Sequence, residues 1–284
     1  MSIHRETFED LSLLEKLRSL ALLQQEMLKK ALFIASQGPI EQDGRKFSCK
    51  LRDKKRRAST VLAMTAGQSL QTLLELSKKK GIPVRDCYPI GRSAVESFIN
   101  AAFIVSCSEE VAERAIRHVD YAAWRLSNRK IGSGPLEINI SSSCNRDKEI
   151  RDRFPEFLKD RSWTKLTVPD RIKRIGEANS KKAAARLIAA YGIIYYLSSE
   201  IIHGSLFGAS YFYTGFFDKE VSTEAFLSGT VRQTEEILIG VLHAGCGYLA
   251  AFYSWQGMDV LAQEEQRLFD LLLETATHLE KKKA

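Results

Sequence analysis

The chain has 284 residues, of which 44% are hydrophobic and 27% are charged, and its formal net charge is +7. This length and composition exclude wholesale disorder and allow a full hydrophobic core. The five cysteines form no Cys-x-x-Cys pair and the charged N-terminus has no apolar secretory segment. We therefore expect a cytoplasmic protein without a disulfide framework, a metal ion or a cofactor.

Leucines at helical spacing predict a first helix over residues 8–36. A basic segment follows, residues 45–57, with eight basic residues against one aspartate, an excess that equals the net charge of the whole chain. Such a concentration of charge attracts phosphate backbones. The alternative is a solvated loop without a dedicated partner. The predicted nucleic-acid-binding residues are Lys50, Arg52, Lys54, Lys55, Arg56 and Arg57.

The next helices are predicted from residues that favour helix starts. Ser59 is a suitable N-cap for a second helix, and Pro89 is expected in the first turn of a third helix that begins near Ile90. Ser108 is the predicted N-cap of a fourth helix. The Gly- and Ser-rich residues 132–145 predict an exposed loop.

The second half of the chain is also predicted to be helical. Thr167 is an expected N-cap, and helices are predicted over residues 147–160, 181–203, 219–256 (as one helix or two) and 259–280. No formal charge occurs from Ile237 to Trp255, which is long enough to span a bilayer. The polar residues and glycines within it favour instead a central helix that is buried on all sides, so no membrane insertion is expected.

Together these elements predict an all-α, bundle-like fold of about eight helices. The chain is expected to divide into an N-terminal helix with its basic linker, residues 1–57, and a main helical domain, residues 58–284. The alternative is one continuous domain.

Two of the predicted helices carry polar side chains among apolar neighbours. Arg92 and Glu96 lie one turn apart and share a face of the third helix. Ser199 and His203 share a face at the end of a later helix. Because buried charges need partners, we expect the two pairs to meet as a candidate catalytic site. The alternative is an internal polar core that fixes how the helices pack.

Three chemistries can use these residues. Glu200 and His203 have the Glu-x-x-His spacing of di-iron bundles, but the sequence has no second copy, which disfavours a metal site. Ser199 and His203 lie on one helix without a glycine motif for an oxyanion hole, which disfavours a serine nucleophile. Metal-independent phosphodiester cleavage needs only His203 for protons and Arg92 for charge, supported by Ser199 or Glu96.

An aromatic segment follows His203. Residues 207–217 contain Phe207, Tyr211, Phe212, Tyr213, Phe216 and Phe217. Such a segment can stack on nucleobases. Its commoner use is packing against the core or against a second copy of the chain.

The motifs Arg92-Ser-x-x-Glu96 and Tyr196-x-x-Ser199-x-x-x-His203-Gly resemble those of an uncharacterised bacterial family of helical proteins, over about residues 58–255. That likeness implies no established activity. The chain is also distantly similar to the HEPN helical proteins, many of which are ribonucleases or defence toxins. HEPN nucleases place four to six residues between an arginine and a histidine on one helix. No such spacing occurs here, so the resemblance implies either active residues split between two helices or no nuclease activity.

The sequence therefore predicts a nucleic-acid-associated helical protein that forms a homodimer. It favours a metal-independent ribonuclease of a defence or toxin system, with RNA or another polyanion as its partner. The alternative function is a non-enzymatic interaction or regulatory module, in which Arg92, Glu96 and His203 form a structural polar core.

Overall fold

The computed structural model describes residues 11–42, 44–79, 83–141, 146–160, 162–211 and 223–281. They form an all-α bundle with two small hairpins, which confirms the predicted fold class. The helices are α1 (Leu13–Ser36), α2 (Asp53–Ser77), α3 (Val84–Ser106), α4 (Glu109–Ser127), α5 (Arg146–Arg153), α6 (Val168–Ala178), α7 (Lys181–Ile202), α8 (Leu206–Ser210), α9 (Thr223–Gln256) and α10 (Asp259–Lys281). The strands are β1 (Ile40–Gln42), β2 (Arg45–Phe47), β3 (Asn128–Ser133) and β4 (Leu136–Ser141), and Pro155–Phe157 is a short 3-10 helix.

The centre of the bundle is α9, against which α1, α3, α7 and α10 pack. Every residue from Ile237 to Tyr253 is buried. By length and composition, Lys181–Ile202 and Leu227–Gln256 are candidate membrane spans, and 33% and 94% of an 18-residue apolar window within each are buried inside the fold. The core helix of a bundle passes the same test, and all residues of Ile237–Trp255 except Ser254 and Trp255 are buried, close to what the sequence predicts.

Glycines bring the neighbouring helices close to α9. A Cβ atom at Gly240 would lie 2.7 Å from the side chain of Ile194 in α7, and one at Gly247 would lie 2.6 Å from Leu187. On the other side of α9, a Cβ at Gly245 would lie 2.2 Å from the carboxamide of Gln24 in α1. Side chains of the neighbouring helices therefore occupy the space that a side chain at these positions of α9 would need.

One hydrophobic core extends through the bundle and includes residues on both sides of the predicted division between 57 and 58. Leu17 and Leu20 of α1 lie in the same cluster as Leu70, Ile99 and Leu242. A smaller cluster joins α4 to the short 3-10 helix and the residue before it, and contains Tyr121, Trp124, Phe154 and Phe157. The N-terminal helix therefore packs as part of the same bundle as the rest of the chain.

Two predicted helix starts are wrong. The second helix begins at Asp53, because the backbone of Arg52 is already extended as an N-cap (φ −66°, ψ 156°) and Asp53 places a negative charge in the first turn. Ser59 lies inside that helix, where its hydroxyl donates to the carbonyl oxygen of Lys55. The third helix begins at Val84, and it includes Pro89. By contrast, Ser108 and Thr167 lie at the predicted N-cap positions.

The predicted loop at residues 132–145 is largely a β-hairpin. β3 and β4 pair antiparallel, with Ile131 opposite Ile138 and Gly132 opposite Glu137. Gly132 and Gly134 have φ angles of +86° and +57°, which a turn of this kind requires and glycine adopts without strain. The hairpin is exposed as predicted, but its conformation follows from the short alternation of apolar and polar residues in β4. Residues 142–145 lie outside the described part of the chain.

Candidate functional site

A polar cluster lies where α3, α6 and α7 meet. Its members come from one face of α3, one turn of α6 and two turns of α7. We call it the α3–α6–α7 cluster, and it consists of Arg92, Glu96, Asn100, Arg171, Tyr191 and Tyr195.

The ion pair predicted on the third helix is present. Arg92 Nε donates to Glu96 Oε1 at 2.8 Å, and the two side chains are 18% and 35% exposed. The guanidinium of Arg92 also lies over the ring of Tyr195, with its Cζ 4.2 Å from the ring centroid. The pair is therefore half-buried, with its charged groups still accessible from outside.

A second guanidinium joins this pair from α6. Arg171 donates from Nη1 to the carboxamide oxygen of Asn100, and its guanidinium lies 5.8 Å from the ring centroid of Trp163. Burial lowers the pKa of Arg171, and the carboxylate of Glu96 opposes that shift. Glu96 thus interacts with two arginines, and the three charges leave one net positive charge in the cluster.

Two tyrosines of α7 form one wall of the cluster. The rings of Tyr191 and Tyr195 stack with centroids 4.3 Å apart, and their hydroxyls are hydrogen-bonded to each other. Burial raises the pKa of Tyr191, and the neighbouring Tyr195 and Glu96 raise it further. Its hydroxyl therefore stays protonated at neutral pH and acts as a hydrogen-bond donor.

Local sequence explains how these helices are aligned. Thr167 caps α6 and exchanges hydrogen bonds with Asp170 in a capping box, which fixes the turn that carries Arg171. Ile194 of α7 is buried beside Gly91 of α3, where a Cβ would lie 3.4 Å from its Cδ1. The next residue, Tyr195, consequently lies over Arg92.

This combination of groups is suited to a phosphodiester. Guanidinium groups bind phosphate oxygens through paired N–H donors, and they stabilise negative charge that develops in a reaction. A carboxylate beside them can accept a proton, and tyrosine rings offer a stacking surface. No group of three or more His, Cys, Asp or Glu residues suited to a metal ion occurs among the described residues.

Ser199 and His203 lie further along α7 than the cluster. Ser199 is half-buried one turn beyond Tyr195, and His203 is the exposed C-cap residue two turns beyond it. Eight residues of α-helix correspond to about 12 Å along the axis. The structure thus brings Arg92 and Glu96 together with Tyr195, and it places His203 at the exposed end of α7. The neighbouring Glu200 accepts a hydrogen bond from Ser205 at 2.6 Å.

The basic segment consists of β2, a connection over residues 48–52 and the first turn of α2. Lys50, Arg52 and Arg57 are exposed. Lys54 and Arg56 are exposed as well, and they pair with Glu113 and Asp53.

Lys55 must be removed from the predicted nucleic-acid-binding set. Its side chain is buried, and its ammonium donates to the carbonyl oxygen of Cys107 at 2.6 Å and lies 3.8 Å from the ring centroid of Trp255. Burial lowers its pKa. A lysine that is held between a carbonyl and an indole ring is not available to a phosphate.

Part of the aromatic segment can be placed. Phe207 and Tyr211 lie 6.4 Å apart between ring centroids, and Tyr211 is hydrogen-bonded to Tyr88 of α3. Phe212, Tyr213, Phe216 and Phe217 lie outside the described residues. The homodimer predicted from the sequence stays a prediction.

A second polar cluster is deeply buried. Arg186 of α7 pairs with Glu265 of α10 at 2.5 Å, with the two side chains 2% and 1% exposed. Gln24 donates to the carbonyl oxygen of Leu242 at 2.7 Å, and His243 bonds the carbonyl oxygen of Ile239. These groups are buried, and the contacts of Arg186 and Gln24 join α7 to α10 and α1 to α9.

Several cluster residues were missed in the sequence. Asn100 lies one turn beyond Glu96 on the same face, and Tyr191 and Tyr195 are an aromatic pair one turn apart, so helical spacing alone carried a signal for these three. Arg171 has no such signal, because its contact with Asn100 spans 71 positions of the chain.

The fold and the cluster define an all-α bundle protein with a cationic, tyrosine-lined site. Residues 57–221 match DUF5677, a family of unknown function. Since the match spans more than half of the chain, the chain belongs to this family, as the resemblance to an uncharacterised family predicts. All six cluster residues lie within the matched range, whereas α1, α9 and α10 lie outside it. No curated protein and no solved structure matches the chain.

The two ion pairs should differ sharply in their effect on stability. Glu96→Ala should lower the free energy of unfolding by less than about 1 kcal/mol, because its pair with Arg92 is partly exposed. Glu265→Ala should lower it by about 3–5 kcal/mol, because it leaves the Arg186 charge buried and unpaired. Urea unfolding followed by circular dichroism measures both values. A loss of several kcal/mol for Glu96→Ala would mean that the Arg92–Glu96 pair is architectural.

Proposed function

We propose that the protein binds RNA at the α3–α6–α7 cluster and cleaves it there without a metal ion. The observation that carries this proposal is the presence of two guanidiniums, Arg92 and Arg171, around the single carboxylate of Glu96 on a half-exposed surface. Arginines in that arrangement bind the non-bridging oxygens of a phosphodiester and stabilise the extra charge of the pentacoordinate transition state.

Glu96 is the group that moves the proton in this proposal. Its carboxylate takes the proton of the ribose 2′-hydroxyl, and the 2′-oxygen forms a bond to phosphorus. The bond from phosphorus to the 5′-oxygen breaks, and that oxygen takes a proton from water. The products are a 2′,3′-cyclic phosphate and a 5′-hydroxyl, and Glu96 returns its proton to solvent. Tyr191 and Tyr195 provide the surface on which a flanking base stacks.

Ser199 and His203 take no part in this step. The sequence motif made His203 the expected proton carrier, but Glu96 lies against the Arg92 guanidinium while His203 lies two turns of α7 beyond the ring that Arg92 covers. A general base must lie within hydrogen-bond reach of the proton that it removes. Proton transfer is therefore assigned to Glu96, and His203 is not required for cleavage.

The rival is a non-enzymatic interaction or regulatory module with a structural polar core. The 18% exposure of Arg92 is the observation that favours it. The two functions differ in what Glu96 does: a structural carboxylate affects stability, whereas a catalytic one affects product formation in a folded protein.

Cleavage of labelled RNA in the presence of EDTA tests the proposal. Glu96→Gln should lower the cleavage rate about 10²- to 10⁴-fold through loss of the base, and Arg92→Ala about 10²- to 10³-fold through loss of charge stabilisation. His203→Ala should retain cleavage. Arg85→Ala is the matched control, because Arg85 lies on the same helix in an exposed pair with Asp86.

Three results would contradict the proposal. Wild-type protein that does not cleave RNA in EDTA rules out the enzymatic function. Cleavage at the same rate by Glu96→Gln and Arg92→Ala points to a contaminating nuclease. If only His203→Ala loses activity, then His203 and not Glu96 transfers the proton.

The exposed arginines of the basic segment should contribute to RNA affinity. Arg52→Gln with Arg57→Gln should reduce the slope of log K against log salt by about 1.4, at about 0.7 per single-stranded phosphate contact. Lys78→Gln with Lys79→Gln is the matched control, since these exposed lysines follow the other end of the same helix. A slope that both double variants leave unchanged would make the basic segment a solvated surface.

A further inference from the structure

An open pocket lies between the basic segment and the α3–α6–α7 cluster. It has a volume of about 420 Å³ and is bordered by α2, α3, α4 and Trp163. Arg57 of the basic segment lines it, and so does Asn100, whose carboxamide oxygen accepts from Arg171. The pocket therefore connects the two cationic regions that the proposed function uses.

The walls of this pocket are apolar. Val61, Leu62, Ile104, Ile116 and Val119 contribute to them. Val61 and Val119 are 58% and 66% exposed, which is high for large aliphatic side chains that face a concave surface. Pockets of this size with mainly apolar walls are typical sites for small, flat groups.

Trp163 supplies an aromatic surface that is held in position. Its ring packs against Phe103, with centroids 6.0 Å apart, and the guanidinium of Arg171 lies on it. Asn100, His118 and Asp120 add polar groups that can meet the edge of a base. An aromatic ring, apolar walls and a few polar groups are the elements with which proteins hold an unstacked base.

We infer that this pocket binds one nucleobase of the RNA whose phosphates lie at Arg57 and at the α3–α6–α7 cluster. The inference rests on the proposed function and names the feature of the substrate that the pocket recognises, an unpaired base. The charges support this occupant, because a nucleotide has a flat apolar body between two anionic phosphates. An acyl chain or an aliphatic side chain would leave the cationic groups on both sides of the pocket without a counterpart.

Binding to a 2′-O-methyl oligoribonucleotide of about eight residues, which lacks the hydroxyl that the proposed cleavage uses, and to the same chain with all bases removed tests this inference. The two probes carry equal charge, so fluorescence anisotropy reports the contribution of the bases. Wild-type protein should bind the intact RNA at least about tenfold more tightly. Ala115→Trp, which fills the pocket, should lose this preference, and so should Trp163→Ala, which removes the aromatic wall without adding volume. Ala123→Trp is the control, since it makes the same change at an exposed position of α4.

The outcomes separate this inference from the proposed function. A preference for intact RNA that survives in both Ala115→Trp and Trp163→Ala overturns the base pocket. Equal binding of the two probes by wild-type protein, weakened in Arg92→Ala, overturns the pocket and leaves the phosphate site in place. Failure of wild-type protein to bind either probe overturns both.

Discussion

Ile194 of α7 fills the space left open by Gly240 of α9 and also contacts Gly91 of α3, and the position of the polar cluster depends on these contacts. A Cβ at Gly240 would lie 2.7 Å from the Ile194 side chain, whereas one at Gly91 would lie 2.9 Å from Ile237 of α9 and 3.4 Å from Ile194. Because interiors are close-packed, these contacts set the distance and the rotation of α7 against α3 and α9. Tyr195 and Tyr191, one and three residues away, then face Arg92 and its neighbours. The site is thus a consequence of how the apolar core packs.

The protein uses charge in two different settings. Arg186 and Glu265 are enclosed by α7, α9 and α10, and burial raises the pKa of Glu265 although its hydrogen bond and ion pair with Arg186 oppose that shift. The Nε of Arg186 and the Oε1 of Gln24 are buried without a hydrogen-bond partner among the described residues. Arg92, Glu96 and Arg171 remain in partial contact with solvent instead. The first group joins helices in the interior, whereas the second stays accessible from solvent.

The helices could be predicted from the sequence because apolar spacing and N-cap residues are local signals. Ser108 and Thr167 mark true starts, but the N-cap preference of Ser59 was overridden because the residues before it, Asp53 to Ala58, continue the helix that packs on α3 and α4. The β3–β4 hairpin was missed because its alternation of apolar and polar residues covers only the 6 residues of β4.

The site could be predicted only in part. Arg92 and Glu96 were found because they are one turn apart, and their ion pair is present. Arg171 reaches the site through the packing of α6 against α3, and Trp163 lies in the segment before α6 and contacts Phe103 of α3. No local spacing in the sequence predicts these contacts. His203 was assigned to the candidate site because of a sequence motif. A motif does not show which way a residue faces in the bundle or how deeply it is buried. The sequence likewise does not show which residues of the basic segment are exposed. Lys55 was predicted to bind nucleic acid with its neighbours, but its side chain is buried.

The most direct test of this account is photo-crosslinking of bound RNA that contains 4-thiouridine, with the attachment sites identified by mass spectrometry. If RNA occupies the cluster and the adjoining pocket, the crosslinked residues will include Trp163 and Tyr191 or Tyr195, and Arg92→Ala will weaken these crosslinks while leaving those on the basic segment. Crosslinks confined to the basic segment, or a pattern that Arg92→Ala leaves unchanged, would contradict the assignment of the α3–α6–α7 cluster as the RNA site.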